Sequence, residues 1–137
     1  MAKTFAFKLV TPEQVAYEGD AELVIGVGTE GEEGILASHA PFLTALRPGI
    51  LRANVVEAGQ PKRLEFATSE GFMQALPDRV TVLVDAAVTR ERVDVARSRD
   101  ELNQALERRK TLKPQTVEYE REQAIVDFAN AKLSLAG

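Results

Sequence analysis

The chemically richest stretch of the sequence is Thr29–Leu46, which we expect to be one long, ordered contact loop. It holds Glu30, Glu32 and Glu33, and also His39, which is the only histidine of the chain. Carboxylates beside an imidazole could bind a metal ion or exchange protons with a substrate. However, the chain has no second histidine and no cysteine, and glutamates adjacent in sequence cannot all point at one ion. The pattern therefore favours a histidine that is hydrogen-bonded to the backbone or to a partner.

Two other patterns look like catalytic motifs but lack the surroundings that those motifs need. Gly26, Gly28 and Gly31 have the spacing of a dinucleotide-binding fingerprint, but no helix is predicted after them to receive a pyrophosphate. We expect these glycines to allow positive φ in a loop. Ser38 precedes His39, but no Gly-x-Ser-x-Gly elbow occurs, and sequence neighbours do not have triad geometry. The sequence thus predicts no catalytic residue, no metal site and no cofactor.

The composition is that of an ordinary globular chain, but its charge is unevenly distributed. Of 137 residues, 45% are hydrophobic and 28% are charged, and no apolar run is long enough to span a bilayer. Residues 1–88 carry 7 basic and 12 acidic side chains, whereas residues 89–137 carry 10 and 9. The first residues lack the apolar segment of a secretory signal. Because an acidic first part matches phosphates poorly, we do not expect nucleic-acid binding. Because no long apolar run occurs, we do not expect direct membrane insertion.

The first two thirds of the chain alternate between short apolar segments and turn residues. Phe5, Phe7 and Leu9 would share one face of a strand, and a later run places alternate apolar residues on one face over residues 23–27. Turn signals separate such runs, for example at residues 18–20. Several short strands at this spacing predict a sandwich or a barrel.

Near residue 88 the apolar period changes from that of strands to that of helices. Thr89 is the expected N-cap of a helix that runs to about Lys110, with Leu102 and Leu106 on one face. Pro114 is expected to be the first residue of a second helix. Two helices with a short connection form an antiparallel hairpin that has no core of its own, so it should pack on the strand domain or on a partner.

A series of short motifs along the chain resembles one family. In order, they are Gly31-Glu32-Glu33-Gly34-Ile35-Leu36, His39-Ala40-Pro41-Phe42-Leu43-Thr44, Pro48-Gly49, Ser69-Glu70-Gly71-Phe72 and Val80-Thr81-Val82-Leu83-Val84-Asp85. This order and spacing are similar to the signature of the epsilon subunit of bacterial F-type ATP synthase. The resemblance implies an α+β fold, with an N-terminal antiparallel β-sandwich of about ten strands in residues 1–88. A C-terminal antiparallel two-helix hairpin in residues 89–137 would follow it.

The function that the resemblance implies is mechanical. In this family the subunit is a non-catalytic part of the central stalk, the rotor that couples proton flow to ATP synthesis. Its sandwich binds the gamma subunit, its bottom loop rests on the c-ring, and its helices can extend toward the alpha/beta catalytic head and inhibit ATP hydrolysis. We therefore expect a peripheral membrane protein on the cytoplasmic face of the bacterial inner membrane.

The resemblance also indicates which residues make contact. The residues expected to face the c-ring are Glu30, Glu32, Glu33, Ser38 and His39. The family often has Pro-Gly where this chain has Ala37-Ser38. The apolar side chains of the same stretch are expected to point into the sandwich, and they are Ile35, Leu36 and Phe42.

A second hypothesis is that the hairpin binds ATP as a regulatory ligand. Members of the family that sense nucleotide carry Ile/Leu-Asp-x-x-Arg-Ala on the first helix, and this chain has Asp94 and Arg97 in that spacing with different flanking residues. Such members have further basic residues on the second helix, where this chain offers Arg121 and Lys132. In the alternative without nucleotide, Asp94 and Arg97 form a pair on the helix surface, and Arg97 also pairs with Glu101.

Overall fold

The computed structural model describes residues 3–137, in which nine strands precede a short 3-10 helix and two α-helices. The strands are β1 (Phe5–Val10), β2 (Val15–Gly28), β3 (Gly31–Leu36), β4 (Phe42–Leu46), β5 (Gly49–Glu57), β6 (Gln60–Thr68), β7 (Gly71–Leu76), β8 (Arg79–Val84) and β9 (Ala87–Val88). The 3-10 helix is Arg90–Arg92, and the α-helices are α1 (Val95–Arg109) and α2 (Val117–Ala136). The predicted fold class, a sandwich followed by a helical hairpin, is confirmed with nine described strands in place of about ten.

The strands form two layers that pack face to face. The order is β1-β8-β7-β4 in the first layer and β3-β2-β5-β6-β9 in the second. The layers meet along the edge where β4 pairs with β2 at a single position, and again where β2 pairs with β1. All strand pairs are antiparallel except β1 with β8, which run parallel. The resemblance implied an antiparallel sandwich, and the described strands agree with it in every pair except this one.

The length of β2 allows it to take part in both layers. Its first half pairs with β1, where Phe7 stands opposite Gly19, and its second half pairs with β3 and β5. The turn expected at residues 18–20 is therefore wrong, because this segment is extended inside β2. The ring of Tyr17 lies over this glycine, since a Cβ on Gly19 would lie 2.7 Å from its hydroxyl oxygen and the end of the tyrosine side chain would have to shift.

The core lies between the layers and is built from alternate residues of the strands. Phe5, Phe7 and Leu9 are buried as predicted, and so are Val80, Val82 and Val84. In the second layer Val24 is buried. The residues predicted to share an apolar face, Leu23, Ile25 and Val27, lie on the outer side of the sheet and are half-buried. Because side chains alternate along a strand, filling this core also decides which residues point outward.

The glycines near the end of β2 serve close packing rather than a loop. Gly26 and Gly28 are buried within the strand, and only Gly31 of the three has a positive φ, of 128°. A Cβ on Gly26 would lie 3.0 Å from Leu46 Cδ2 and 3.3 Å from Met73 Cε of the opposite layer. The expectation that all three allow positive φ is therefore wrong for Gly26 and Gly28.

Both helices begin later than the sequence predicted. Thr89 makes no side-chain capping bond and precedes only the 3-10 helix, whereas Asp94 caps α1 through its carboxylate. Pro114 lies in the turn between the helices, and Thr116 caps α2 by accepting a hydrogen bond from the amide of Tyr119. In both cases a second capping residue nearer the helix satisfies the free amide groups. No helix within residues 3–137 has the length and apolar content needed to cross a membrane.

The hairpin rests on the second layer through α2. Ala131 and Leu135 of α2 are buried against Ala67 of β6, and Ile50 and Phe128 pack around them. This cluster is small compared with the sandwich core and is made partly of alanine. The docking of the hairpin therefore buries little apolar surface. It is α2 that contacts β5 and β6, and α1 packs against α2.

We expect Gly71→Ala to destabilise the sandwich strongly. An added Cβ would overlap with the carbonyl oxygen of Leu83 and lie 2.8 Å from Val84 Cα, so the backbone of β7 or β8 would have to move. Overpacking of this kind should lower the free energy of unfolding by about 2–3 kcal/mol.

The matched control is Gly34→Ala in β3, where an added Cβ would meet Leu23 Cδ1 at an ordinary 3.8 Å. This change should alter the free energy of unfolding by less than about 1 kcal/mol. Urea unfolding followed by circular dichroism measures both variants, and equal effects in the two would contradict the packing assigned to Gly71.

Candidate partner-binding surfaces

The structure divides the predicted contact stretch between the two ends of β3. Glu30 lies in the tight turn of the β2–β3 hairpin, whereas Ser38 and His39 lie in the turn between β3 and β4. A strand rises about 3.3 Å per residue, so β3 holds these two turns about 20 Å apart. The expectation of one long contact loop is therefore wrong, because most of the stretch is strand.

Glu32 and Glu33 are neighbours in β3 and point to opposite faces of the sheet. Glu32 stands opposite Val27 and forms an ion pair with Arg52, with Oε2 and Nη1 2.9 Å apart. Glu33 stands opposite Gly26 in the same ladder. Within residues 3–137 no three acidic or histidine side chains are grouped in a way that could hold a metal ion.

The imidazole of His39 is turned toward the protein rather than outward, and of the two partners predicted for it, the backbone or another protein, it bonds the backbone. Its Nδ1 bonds the carbonyl oxygen of Leu36 three residues earlier, and the ring meets Phe5 edge-to-face with centroids 5.8 Å apart. Its Nε2 is buried without a hydrogen-bond partner. Ser38 has a φ of 64°, the left-handed conformation that glycine adopts most easily. His39 thus stabilises a tight turn, and its contact with a partner stays a prediction.

The apolar side chains of this stretch do not all point inward. Ile35 is buried and Phe42 packs against the core, as predicted. Leu36 is 62% exposed, so the prediction is wrong for this residue. The reason is strand alternation, because Leu36 directly follows Ile35 and must face the other side.

A row of apolar side chains crosses the outer face of the first layer. Phe72 stands opposite Leu83 in the β7–β8 pair, and the two are 53% and 50% exposed. The row continues to Ala45 on β4 and to Val10 on β1, which stand opposite Phe72 and Leu83, respectively. Sequence reasoning missed this surface, although Leu83 lies between Val82 and Val84 and the alternation could have revealed it.

A groove of about 740 Å³ separates this apolar row from α2. Its lining includes Phe72 and Leu83 on the sandwich side and Ala124 on the helix side. Four acidic residues and one basic residue also line it, namely Glu70, Asp85, Glu120, Asp127 and Arg47. The groove therefore combines an apolar floor with a mainly acidic rim.

The two helices are joined to each other by polar contacts. Arg108 Nε donates to both carboxylate oxygens of Glu122, at 2.9 and 2.7 Å, and this hydrogen bonding lowers the pKa of the Glu122 carboxyl. Lys132 Nζ lies 2.7 Å from Glu101 Oε1. These contacts link the middle and the C-terminal end of α1 to α2, so the helices form one unit.

The residues of the nucleotide hypothesis have local roles in α1. The carboxylate of Asp94 accepts a hydrogen bond from the backbone amide of Arg97 at 3.0 Å, which is the N-cap of the helix. The guanidinium of Arg97 is largely exposed and lies 4.0 Å from Glu101, the pairing expected from the sequence. A cavity of about 430 Å³ between hairpin and sandwich is lined by Arg108 and by both basic residues expected on the second helix, Arg121 and Lys132, but by neither Asp94 nor Arg97.

Comparison with known proteins identifies the family. A family model described as "ATP synthase, Delta/Epsilon chain, beta-sandwich domain" matches residues 4–90. The chain belongs to this family. One delta/epsilon relative, the "ATP synthase epsilon chain" of Ruminiclostridium cellulolyticum, is 37% identical over 131 residues, which cover 96% of this chain and 94% of that protein. Another, from Desulfosudis oleivorans, is 42% identical over 98 residues, covering 72% and 71%.

Chains in two solved structures of mitochondrial ATP synthases have the same fold. A chain in the structure titled "Euglena gracilis mitochondrial ATP synthase, OSCP/F1/c-ring in rotational state 1" superposes with a TM-score of 0.76 at 21% identity. The match covers 97% of this chain and 81% of that one. A chain of the Tetrahymena thermophila "mitochondrial ATP synthase - central stalk/cring" gives 0.62 at 15% identity, covering 96% and 98%. The helical hairpin is therefore included in the shared fold.

The contact between Arg108 and Glu122 should make the hairpin sensitive to acid. Because the pKa of Glu122 is lower in the folded chain than its unfolded value of about 4.3, the stabilisation is present above that value and is lost as the pH falls through the folded pKa. We expect Glu122→Gln to lower the helix melting temperature at pH 7 and to weaken its fall with acid.

Thermal melts followed by circular dichroism between about pH 7 and pH 3 measure this difference. Glu118→Gln is the control, since Glu118 is an exposed glutamate in the first turn of the same helix. A Glu122→Gln variant that retains the acid dependence of the wild type would show that another group is responsible.

Proposed function

We propose that the chain is the epsilon-type subunit of a bacterial F-type ATP synthase. In this role it is a non-catalytic rotor subunit that links the gamma subunit to the c-ring and so couples proton flow to ATP synthesis. The observation that supports this most is the apolar row of Phe72 and Leu83 on the outside of a sandwich that already has a complete core. Exposed apolar surfaces of this kind mark sites of protein contact.

The gamma subunit is the proposed partner of this row and of the neighbouring groove. Phe72 offers a large aromatic side chain between two apolar neighbours, which is typical of residues that contribute most to an interface. The acidic rim, with Glu70 and Asp85 on the sandwich and Glu120 and Asp127 on α2, favours a partner segment that carries basic side chains. Such a segment would contact the sandwich and the helix at once.

The c-ring is the proposed partner of the β2–β3 hairpin. Glu30 is exposed at its tip, and the side chain of Glu32 is 60% exposed despite its ion pair. Carboxylates on a protruding turn suit polar or basic loops. Glu33 lies at the same end of β3 and belongs to this contact. Ser38 and His39 lie at the other end of β3, so their predicted contact with the c-ring is not part of the contact made by this hairpin.

The hairpin is the proposed regulatory part. Its docking on the sandwich buries a small cluster around Ala131 and Leu135, so it can be released without opening the sandwich core. Released helices could reach the alpha/beta catalytic head and inhibit ATP hydrolysis. In the ATP synthase the chain would be a peripheral protein on the cytoplasmic face of the inner membrane. The alternative of ATP sensing has less support, because the carboxylate of Asp94 caps α1.

We expect Phe72→Ser to weaken binding to the gamma subunit. Loss of a central aromatic contact should raise the dissociation constant about tenfold or more, while the free energy of unfolding changes little because Phe72 is half exposed. Binding of the full chain to purified gamma subunit from the same organism, measured by surface plasmon resonance, tests this expectation.

Leu36→Ser is the matched control, because Leu36 is similarly exposed but lies on β3 in the other layer. It should bind gamma as the wild type does. If Phe72→Ser binds with unchanged affinity, or if both variants lose affinity equally, the apolar row is not the gamma-binding surface.

A further inference from the structure

Four charged side chains of alternating sign form a continuous chain across the second layer. Arg52 Nη1 lies 2.9 Å from Glu32 Oε2, and Arg52 Nε lies 3.6 Å from Glu65 Oε2. The other oxygen of Glu65, Oε1, lies 3.4 Å from Arg90 Nη2. Arg52 and Glu65 are direct partners in the β5–β6 ladder, so the register of the strands sets their positions.

The last member of this chain holds the end of α2. Arg90 Nε donates a hydrogen bond of 2.7 Å to the carbonyl oxygen of Leu135. The last turn of α2 contains no basic residue of its own, although the C-terminal end of a helix carries partial negative charge. Arg90 supplies the missing cation from outside the helix. Leu135 is also buried in the cluster with Ala67, so Arg90 acts where the hairpin meets the sandwich.

The two inner members of the chain are shared between partners. Arg52 divides its guanidinium between Glu32 and Glu65, and Glu65 divides its carboxylate between Arg52 and Arg90. An arginine that loses one carboxylate partner can bind the remaining one with two parallel hydrogen bonds. If Glu32 no longer pairs with Arg52, the guanidinium of Arg52 can bind both carboxylate oxygens of Glu65. The contact of Glu65 with Arg90 is then weakened.

We propose that Glu32, Arg52, Glu65 and Arg90 form a relay through which a cationic group bound at Glu32 loosens the docking of α2. This rests on the proposed function only in treating Glu32 as a contact residue. A basic side chain of the partner that pairs with Glu32 releases Arg52 to Glu65. Arg90 then loses its carboxylate partner and holds the carbonyl oxygen of Leu135 less firmly. Contact at the β2–β3 hairpin and release of the C-terminal helix are in this way coupled.

Hydrogen exchange of the full chain tests the relay without any partner. Glu32→Gln removes the same ion pair that a bound cation would remove, so the amides of residues 130–136 should exchange about two- to threefold faster. Glu33→Gln is the control, because it removes a neighbouring negative charge that points to the other face. Its exchange should equal that of the wild type. Unchanged exchange in Glu32→Gln, or equal acceleration in both variants, overturns the relay.

Substitution of Arg52 distinguishes a relay from a general effect of charge. In Arg52→Gln both oxygens of Glu65 are left to Arg90, so exchange in residues 130–136 should be as slow as in the wild type or slower. Adding Glu32→Gln to Arg52→Gln should then have no further effect, and acceleration in this double variant contradicts the relay. Arg52→Met repeats the test with an apolar side chain of similar length. It controls for any effect of the glutamine amide on packing next to Ile25.

The relay and the proposed function can fail separately. The exchange measurements use the isolated chain, so their outcome does not depend on gamma or on the c-ring. If the variants behave as expected but Glu32 makes no contact in the assembled enzyme, the relay stands and the c-ring contact is wrong. If Glu32 contacts the c-ring but the variants do not differ, the relay is wrong and the proposed function stands.

Discussion

Strand alternation is the constraint on which the other features of this molecule depend. Each residue that fills the closed core forces its neighbours to the outside, because side chains along a strand point alternately to opposite faces. Val82 and Val84 are buried, so Leu83 must be exposed, and Met73 has the same effect on Phe72. The fold therefore explains why Phe72 and Leu83 are exposed. It does not explain why they are apolar, because polar residues at these two positions would not disturb the core.

The helical hairpin forms one wall of the groove, although it buries only a small apolar cluster against the sandwich. α2 contributes Glu120 and Asp127 to the groove beside the apolar row, and it docks on the sandwich through the small cluster around Leu135. Polar contacts such as that between Arg108 and Glu122 keep the two helices together. A partner in the groove and the ion pairs near Arg90 would therefore both influence whether the hairpin stays docked.

The sequence was sufficient to predict the fold class and the family, because apolar alternation, the change of period near residue 88 and a specific motif all agree. It was not sufficient where a residue is compatible with two local structures, or where two nearby residues could cap the same helix. Gly19 is typical of a turn but lies inside β2 under the ring of Tyr17, and Asp94 rather than Thr89 is the N-cap of α1. The exposure of Leu36 could have been predicted from its neighbour, whereas the relay could not, because strand order and register bring its members together.

In the proposed assembly, the outer face of the first layer binds the gamma subunit while the β2–β3 hairpin meets the c-ring. Cryo-electron microscopy of the ATP synthase purified from the source organism tests both contacts at once. The account predicts that Phe72 and Leu83 are covered by gamma and that the turn at Glu30 touches c-ring loops. An enzyme that lacks this chain, or one in which Phe72 and Leu83 face solvent, would contradict it.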